Sequence, residues 1–234
     1  MTGPQRTLAE DARLAILVAG ATGLVGQGVT RSCLASPWVA RTMALVRREQ
    51  PMAPSLAQIV LPDFRQADAA GDALAGFDAC FYCAGAPPVG TAEAEYRRVT
   101  LDSTLAVAQA WAAANPHGCF LYVSGAHADP RSRIMPLRVK GEIEAALAQL
   151  PIRTVMLRPA GVRPVAGTGT RHAALKPLYR FGGPLLRLAE RMAPSTMVSN
   201  EALGRAMIAL ARMPAAPAIV ECAQINPLGR TTAR

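Results

Sequence analysis

The run Leu14-Ala15-Ile16-Leu17-Val18-Ala19 leads directly into Gly20-Ala21-Thr22-Gly23-Leu24-Val25-Gly26, and a helical pattern comes next. A short apolar run that stops at glycine reads as a buried strand, and the glycine-rich stretch reads as the turn that opens a helix. Glycines three apart in that setting each have a physical task. Gly20 permits a tight turn, Gly23 lets the backbone approach a pyrophosphate closely, and Gly26 lets the helix pack against the strand. The helix start adds free N–H groups and the positive end of its dipole. The motif therefore predicts a dinucleotide phosphate site built from Gly20, Thr22, Gly23, Leu24, Val25 and Gly26.

The rest of the chain supports that setting. Strand-like runs fall at residues 14–19, 42–46, 56–61, 77–83, 119–124 and 154–157, with a short last one at 218–222. Helical patterns separate them at 24–34, 93–114, 137–150 and 201–211. Alternation of this kind predicts a Rossmann-type doubly wound parallel sheet in a three-layer α/β/α arrangement. With 234 residues, 51% of them hydrophobic, the chain is expected to form one domain over residues 1–234. Residues 161–200, rich in Gly and Pro, read as its substrate-side lid region, and residues 1–13 as a polar tail. Gly141 is an oddity inside a helical run.

Charge narrows the class of ligand. The net charge is +9, but the Lys and Arg residues are scattered and lack aromatic interleaving. That favours a phosphorylated small molecule over nucleic acid. Near the end of the second strand, Arg47 and Arg48 precede the first acid, Glu49. An acid at this point binds the ribose 2′-hydroxyl of NAD, whereas arginine suits a 2′-phosphate. NADP(H) is therefore the expected cofactor, with NAD(H) second.

The five cysteines, Cys33, Cys80, Cys83, Cys119 and Cys222, match neither a disulfide framework nor a zinc site. Cys80 and Cys83 end a strand rather than open a helix, where a redox pair would sit. Reduced thiols and no metal are expected. No signal peptide or membrane-spanning run is visible, so a cytoplasmic protein is expected. Arg171, His172, Lys176, Arg180, Arg187 and Arg191 interleave with leucines across the stretch Leu178 to Met192, which Gly182-Gly183-Pro184 interrupts. This reads as a solvated lid face, with peripheral membrane contact as the second option.

Further motifs are Asp63-Phe64, Cys83-Ala84-Gly85, Val123-Ser124-Gly125 and Val139-Lys140-Gly141-Glu142. With the glycine loop, they make the chain resemble an atypical short-chain dehydrogenase/reductase over roughly residues 14 to 212. It looks most like the epimerase-like bacterial NAD(P)H-binding proteins related to Tat-interacting-protein-2 oxidoreductases. The resemblance implies that Asp63 and Phe64 lie beside the adenine, and that Ala84 and Gly85 line its ribose. It makes Ser124 the group that polarises a substrate carbonyl and Lys140 the holder of the nicotinamide ribose. Pro159 would pack near the nicotinamide.

The family pattern is Tyr-x-x-x-Lys, which places a phenol and an ammonium on one helix face. Here Pro136 stands four residues before Lys140, and Thr100 stands where the family has a helix asparagine. Proline fits the first turn of a helix but has no proton to give. His127, three residues after Ser124, is an acid/base candidate on grounds of its ordinary titration range. Tyr122 and Tyr96 read as packing residues. The leading expectation is an NADP(H)-dependent oxidoreductase acting on a small carbonyl or related acceptor. The alternative is a non-catalytic NADPH-binding regulator acting through a protein partner, which Pro136 favours. A Ser124–His127 hydrolase lacks the G-x-S-x-G elbow. A nucleotide-sugar epimerase would need the missing tyrosine and a larger C-terminal part.

Overall fold

The computed structural model describes residues 13–169 and 195–231. The expected lid stretch Leu178 to Met192, with its basic residues, lies outside the described residues, as does most of the N-terminal tail. Seven parallel strands form one sheet: β1 (Leu14–Ala19), β2 (Val39–Val46), β3 (Ala57–Val60), β4 (Ala79–Tyr82), β5 (Cys119–Val123), β6 (Arg153–Arg158) and β9 (Ile219–Glu221). The spatial order is β3-β2-β1-β4-β5-β6-β9. The order reverses between β1 and β4, where a crevice opens beyond the strand ends and ligands bind in such sheets.

Alternation along each strand splits the core in two. Ile16, Val18, Phe81, Leu121 and Leu157 face helix α1 (Leu24–Ala35) and the C-terminal helices α5 (Asn200–Arg212) and α6 (Cys222–Thr231). Leu17, Ala19, Tyr82, Phe120 and Tyr122 face the other way. There they meet Trp111, Val139 and Ile143 on α3 (Ser103–Ala114) and α4 (Met135–Leu147), together with a kinked 3-10 segment, Phe64–Leu74. Both faces of the sheet are covered, which is why its strands read as nearly unbroken apolar runs.

The long helix expected at 93–114 is divided. α2 (Glu93–Tyr96) passes through a π-helical turn (Arg97–Asp102) into α3. α4 starts at Met135 and takes Pro136 in its first turn, where the missing N–H costs nothing. Gly141 is explained by close packing: a Cβ there would stand 2.2 Å from the backbone nitrogen of Pro130.

A second, two-stranded parallel sheet pairs β7 (Val162–Arg163) with β8 (Val198–Ser199). The residues that follow β7 and the first residue after β8 are tied back to α1. The Gln27 side chain donates to the carbonyls of Thr22 (3.0 Å) and Gly169 (3.1 Å) and accepts from the Gly169 N–H (2.9 Å). Buried Asn200 donates to the Leu24 carbonyl at 2.8 Å and to the Thr168 hydroxyl at 2.9 Å. Among the described residues, no helix is long and apolar enough to cross a membrane.

Candidate active site

The glycine loop lies at the switch point. Gly20 has φ +80°, the left-handed region that favours glycine, and a Cβ there would meet the Ala84 nitrogen at 2.6 Å. The β1 and β4 turns are thus in contact. A Cβ on Gly26 would fall 2.0 Å from the Gly20 carbonyl oxygen, so this glycine shapes the turn itself. Gly23 differs: its nearest neighbour would be 3.4 Å away, so the fold leaves room above it. Gly23 caps α1 without a side-chain hydrogen bond, and the first helical turn holds no acid. This leaves backbone donors for an anion. Thr22 and Leu24 are partly exposed here.

Beyond the carboxyl ends of the central strands lies a cavity of about 260 Å³. Val25, Ala84, Gly85, Ser124, Lys140 and Pro159 all line it. Six expected site residues from five separate stretches of sequence therefore meet in one wall. Ser124 is 2% exposed, and its Oγ has no hydrogen-bond partner among the described residues. A buried hydroxyl left unsatisfied costs about 1–3 kcal/mol, so its position fits a polar ligand atom in the cavity. Lys140 Nζ donates to the Ser124 carbonyl at 2.5 Å. Burial pulls the Lys140 pKa down to about 8, partly opposed by the Glu144 carboxylate. The glycine cradle, the unpartnered Ser124 hydroxyl and the Lys140 ammonium suit a nicotinamide dinucleotide with its reactive end in this cavity.

Other expected residues fall outside the cavity wall. Arg47 and Arg48 are exposed past the end of β2, and no acid among the described residues engages either. Asp63 caps the 3-10 segment and is held by Arg65, whose guanidinium Nη2 lies 2.5 Å away. That hydrogen-bonded partner lowers the Asp63 carboxyl to about 2. The Phe64 ring enters the core, 6% exposed. His127 is exposed in the loop after β5, with φ +62°, and does not line the cavity. All five cysteines are free thiols. Burial raises the thiols of Cys33, Cys80, Cys83 and Cys119, the last to about 12. Among the described residues, no cluster of His, Cys, Asp and Glu could hold a metal.

Other cavity residues are not among those expected at the site: Thr100 reads only as a departure from the family asparagine, and Tyr96 and Tyr122 as packing residues. Tyr96, Thr100 and Tyr122 line the cavity with Ser124 and Lys140. The Thr100 hydroxyl accepts from the Ala86 N–H at 3.0 Å, and the Thr104 hydroxyl donates to the Thr100 carbonyl. One turn after Lys140, buried Glu144 binds Arg158 through two hydrogen bonds, Oε1 to Nε at 3.0 Å and Oε2 to Nη2 at 2.5 Å. The same guanidinium donates to the Ala128 carbonyl (3.2 Å) and to Glu221 (3.0 Å). Arg158 therefore joins β6, β9, α4 and the loop after Ser124. Lys140 and Glu144 share a helix face by their spacing, but nothing in the sequence points to Arg158 as the partner.

A doubly wound sheet with a glycine loop at its switch point defines an NAD(P)-binding Rossmann protein of the epimerase-like short-chain dehydrogenase/reductase type. The profile of the NAD dependent epimerase/dehydratase family matches residues 16–146, and the chain belongs to that family. Solved structures with the same fold include the Bordetella bronchiseptica enzyme WbmF in complex with NAD+. It has 14% identity and a TM-score of 0.62, covering 96% of this chain and 80% of that one. Glucuronic acid dehydrogenase from Chromohalobacter salexigens matches at 14% identity and TM-score 0.64, covering 88% and 76%. A short chain dehydrogenase from Burkholderia cenocepacia in complex with NADP matches at 16% and 0.60, covering 96% and 94%. A search of curated proteins returned no match.

Proposed function

We propose that this chain is an NADP(H)-preferring oxidoreductase that reduces a small carbonyl or related acceptor. In this reading it is of the atypical short-chain type related to Tat-interacting-protein-2 oxidoreductases. The observation that carries the proposal is the unpartnered, buried Ser124 Oγ, which shares one cavity with Lys140 and the glycine-loop residue Val25. Bound in this cavity, the dinucleotide would supply hydride.

The chain's own residues do the rest. The glycine loop and the start of α1 hold the pyrophosphate, and Ala84 and Gly85 line the adenine-side ribose. Arg47 and Arg48, exposed and without an acidic partner among the described residues, meet the 2′-phosphate. Lys140 holds the nicotinamide ribose and keeps positive charge beside the reacting atoms. Ser124 donates a hydrogen bond to the acceptor oxygen and orients it. Pro136 stands in place of the family phenol, which speaks against sugar-nucleotide epimerisation, a reaction that needs that group.

Calorimetric titration with NADPH and NADH tests the cofactor, and NADPH oxidation over a panel of aldehydes, ketones and quinones then tests the chemistry. NADPH binding tighter than NADH, with turnover of at least one carbonyl, is the expected result. Failure of both nucleotides to bind would end the proposal. Binding without turnover across the panel would point to a dinucleotide-dependent regulator instead.

A further inference from the structure

With Pro136 at the head of α4, no phenol from that helix reaches the cavity. A second helix supplies one. Tyr96 is the last residue of α2, is 1% exposed, and lines the cavity that holds Ser124 and Lys140. We propose that Tyr96 is the proton donor of this enzyme, delivered from α2 to an acceptor oriented by Ser124, in place of a phenol on α4. The assignment rests on the oxidoreductase reading above.

Three arrangements support it. First, two ion pairs run between α4 and the helix that bears Tyr96. Arg138 binds Glu93 at 2.8 Å and Arg97 binds Glu142 at 2.7 Å. Glu93 and Arg97 flank Tyr96 in sequence, and Arg138 and Glu142 flank Lys140. The pairs therefore bracket phenol and ammonium and fix the register between the two helices. Second, the π-helical turn begins at the residue after Tyr96. Such turns are rare and concentrate at functional sites. This one carries Thr100, whose hydroxyl is anchored on the Ala86 N–H and stands beside the phenol. Third, the other candidates are less suited. His127 is exposed outside the cavity. Tyr122 sits within the sheet on β5, and burial holds its phenol well above the ordinary range.

Thr100 and Tyr122 stand beside Tyr96, and Ser124 after β5, Lys140 from α4 and Cys83 after β4 line the same cavity. Burial keeps the Tyr96 phenol protonated, and the Thr100 hydroxyl moderates this. In the proposed step, the Tyr96 Oη–H bond breaks and an O–H bond forms on the acceptor oxygen. The acceptor carbon takes hydride with its two electrons from the reduced dinucleotide. Lys140 stabilises the phenolate, which recovers a proton from water at the cavity mouth.

The chain has four tyrosines, so tyrosine labelled with 13C at Cζ gives few NMR signals. Y96F assigns the Tyr96 signal and keeps the ring that fills the space. In wild type, addition of NADP+ is expected to shift this signal and lower its titration by about one unit or more, because a nicotinamide cation would lie beside the phenol. Y96F should retain NADPH affinity within about twofold and lose turnover by about 100-fold or more. H127A should turn over at the wild-type rate. If NADP+ binds by calorimetry and the Tyr96 signal does not respond, the assignment is overturned. Wild-type turnover by Y96F would overturn it equally. If wild type binds neither nucleotide, the oxidoreductase reading falls and the assignment falls with it.

Discussion

The glycine loop and the cavity lie side by side, yet they are built in opposite ways. The loop is one continuous stretch, Gly20 to Gly26, and its function is a matter of backbone shape. The cavity draws side chains from α1, α2, the π turn, β5, α4 and the turns after β4 and β6. The contrast shows where replacement is tolerated. A backbone device fails when an atom is added, because its partners are neighbouring peptides that cannot move aside. A side-chain assembly gathered from separate elements can exchange one member for another across the space it encloses.

Glycine substitutions break the loop side of that comparison most sharply. Gly26→Ala places a methyl carbon 2.0 Å from the Gly20 carbonyl and should cost about 3 kcal/mol or more of stability, read by urea unfolding. Gly23→Ala meets nothing closer than 3.4 Å, so it should unfold within about 1 kcal/mol of wild type yet lose dinucleotide binding in calorimetry. Equal damage from both would mean that Gly23 serves the fold and not a phosphate.

On the cavity side, Glu144→Ala removes the buried carboxylate from Arg158, leaving it Glu221 and the Ala128 carbonyl, and should destabilise by about 3 kcal/mol, as when one partner of a buried pair is removed. A loss below about 1 kcal/mol would show that the existing pair with Glu221 suffices to hold Arg158. Replacing Arg47 and Arg48 together by alanine should weaken NADPH by about 10- to 100-fold, through lost charged hydrogen bonds. NADH should change by less than about twofold. An equal effect on both nucleotides would remove the 2′-phosphate contact from the reading.

Lys140 provides a pH test. Its folded-state pKa is depressed from 10.5 to about 8 by burial, so between those values the unfolded chain holds the proton and the native chain does not. Stability contributed by this residue therefore rises as pH rises through that window. The unfolding free energy of wild type relative to K140M should increase from pH 8 to 10.5; a flat difference would mean that Lys140 is solvated. The smallest expected effect is His127→Gly. Relief of the left-handed backbone, φ +62°, should add up to about 1 kcal/mol, and turnover should not fall. A collapse in turnover would return His127 to the chemistry.

Legibility in the sequence divides along the same line. The glycine spacing and the apolar runs of β1, β4 and β5 depend on short-range pattern, which the fold bears out; Ser124 and Lys140, taken from the family resemblance, both line the cavity. β2 begins at Val39 rather than Thr42, and its first residues carry no apolar alternation. β7 and β8 have two residues each and exist only as a pairing across a long separation. The partnership of Glu144 with Arg158 and the entry of Tyr96 depend on helices meeting in space. Tyr96 in particular sits in a helical run whose periodicity says "core", and it is buried; only the cavity beside it reveals a second use.

The pairing of β7 with β8 has a consequence for how such a protein can diversify. Val198 N–H donates to the Gly161 carbonyl at 2.9 Å, and the two short strands close on each other just where the chain departs and returns. The described flanks of that departure and return are fastened to α1, one through Gln27 at Gly169 and the other through Asn200. Because chain closure is met by this pairing and these contacts, changes in length between the flanks should be only weakly felt by the sheet. The sequence between these flanks can then change in length while β1, α1 and the glycine loop keep their shape.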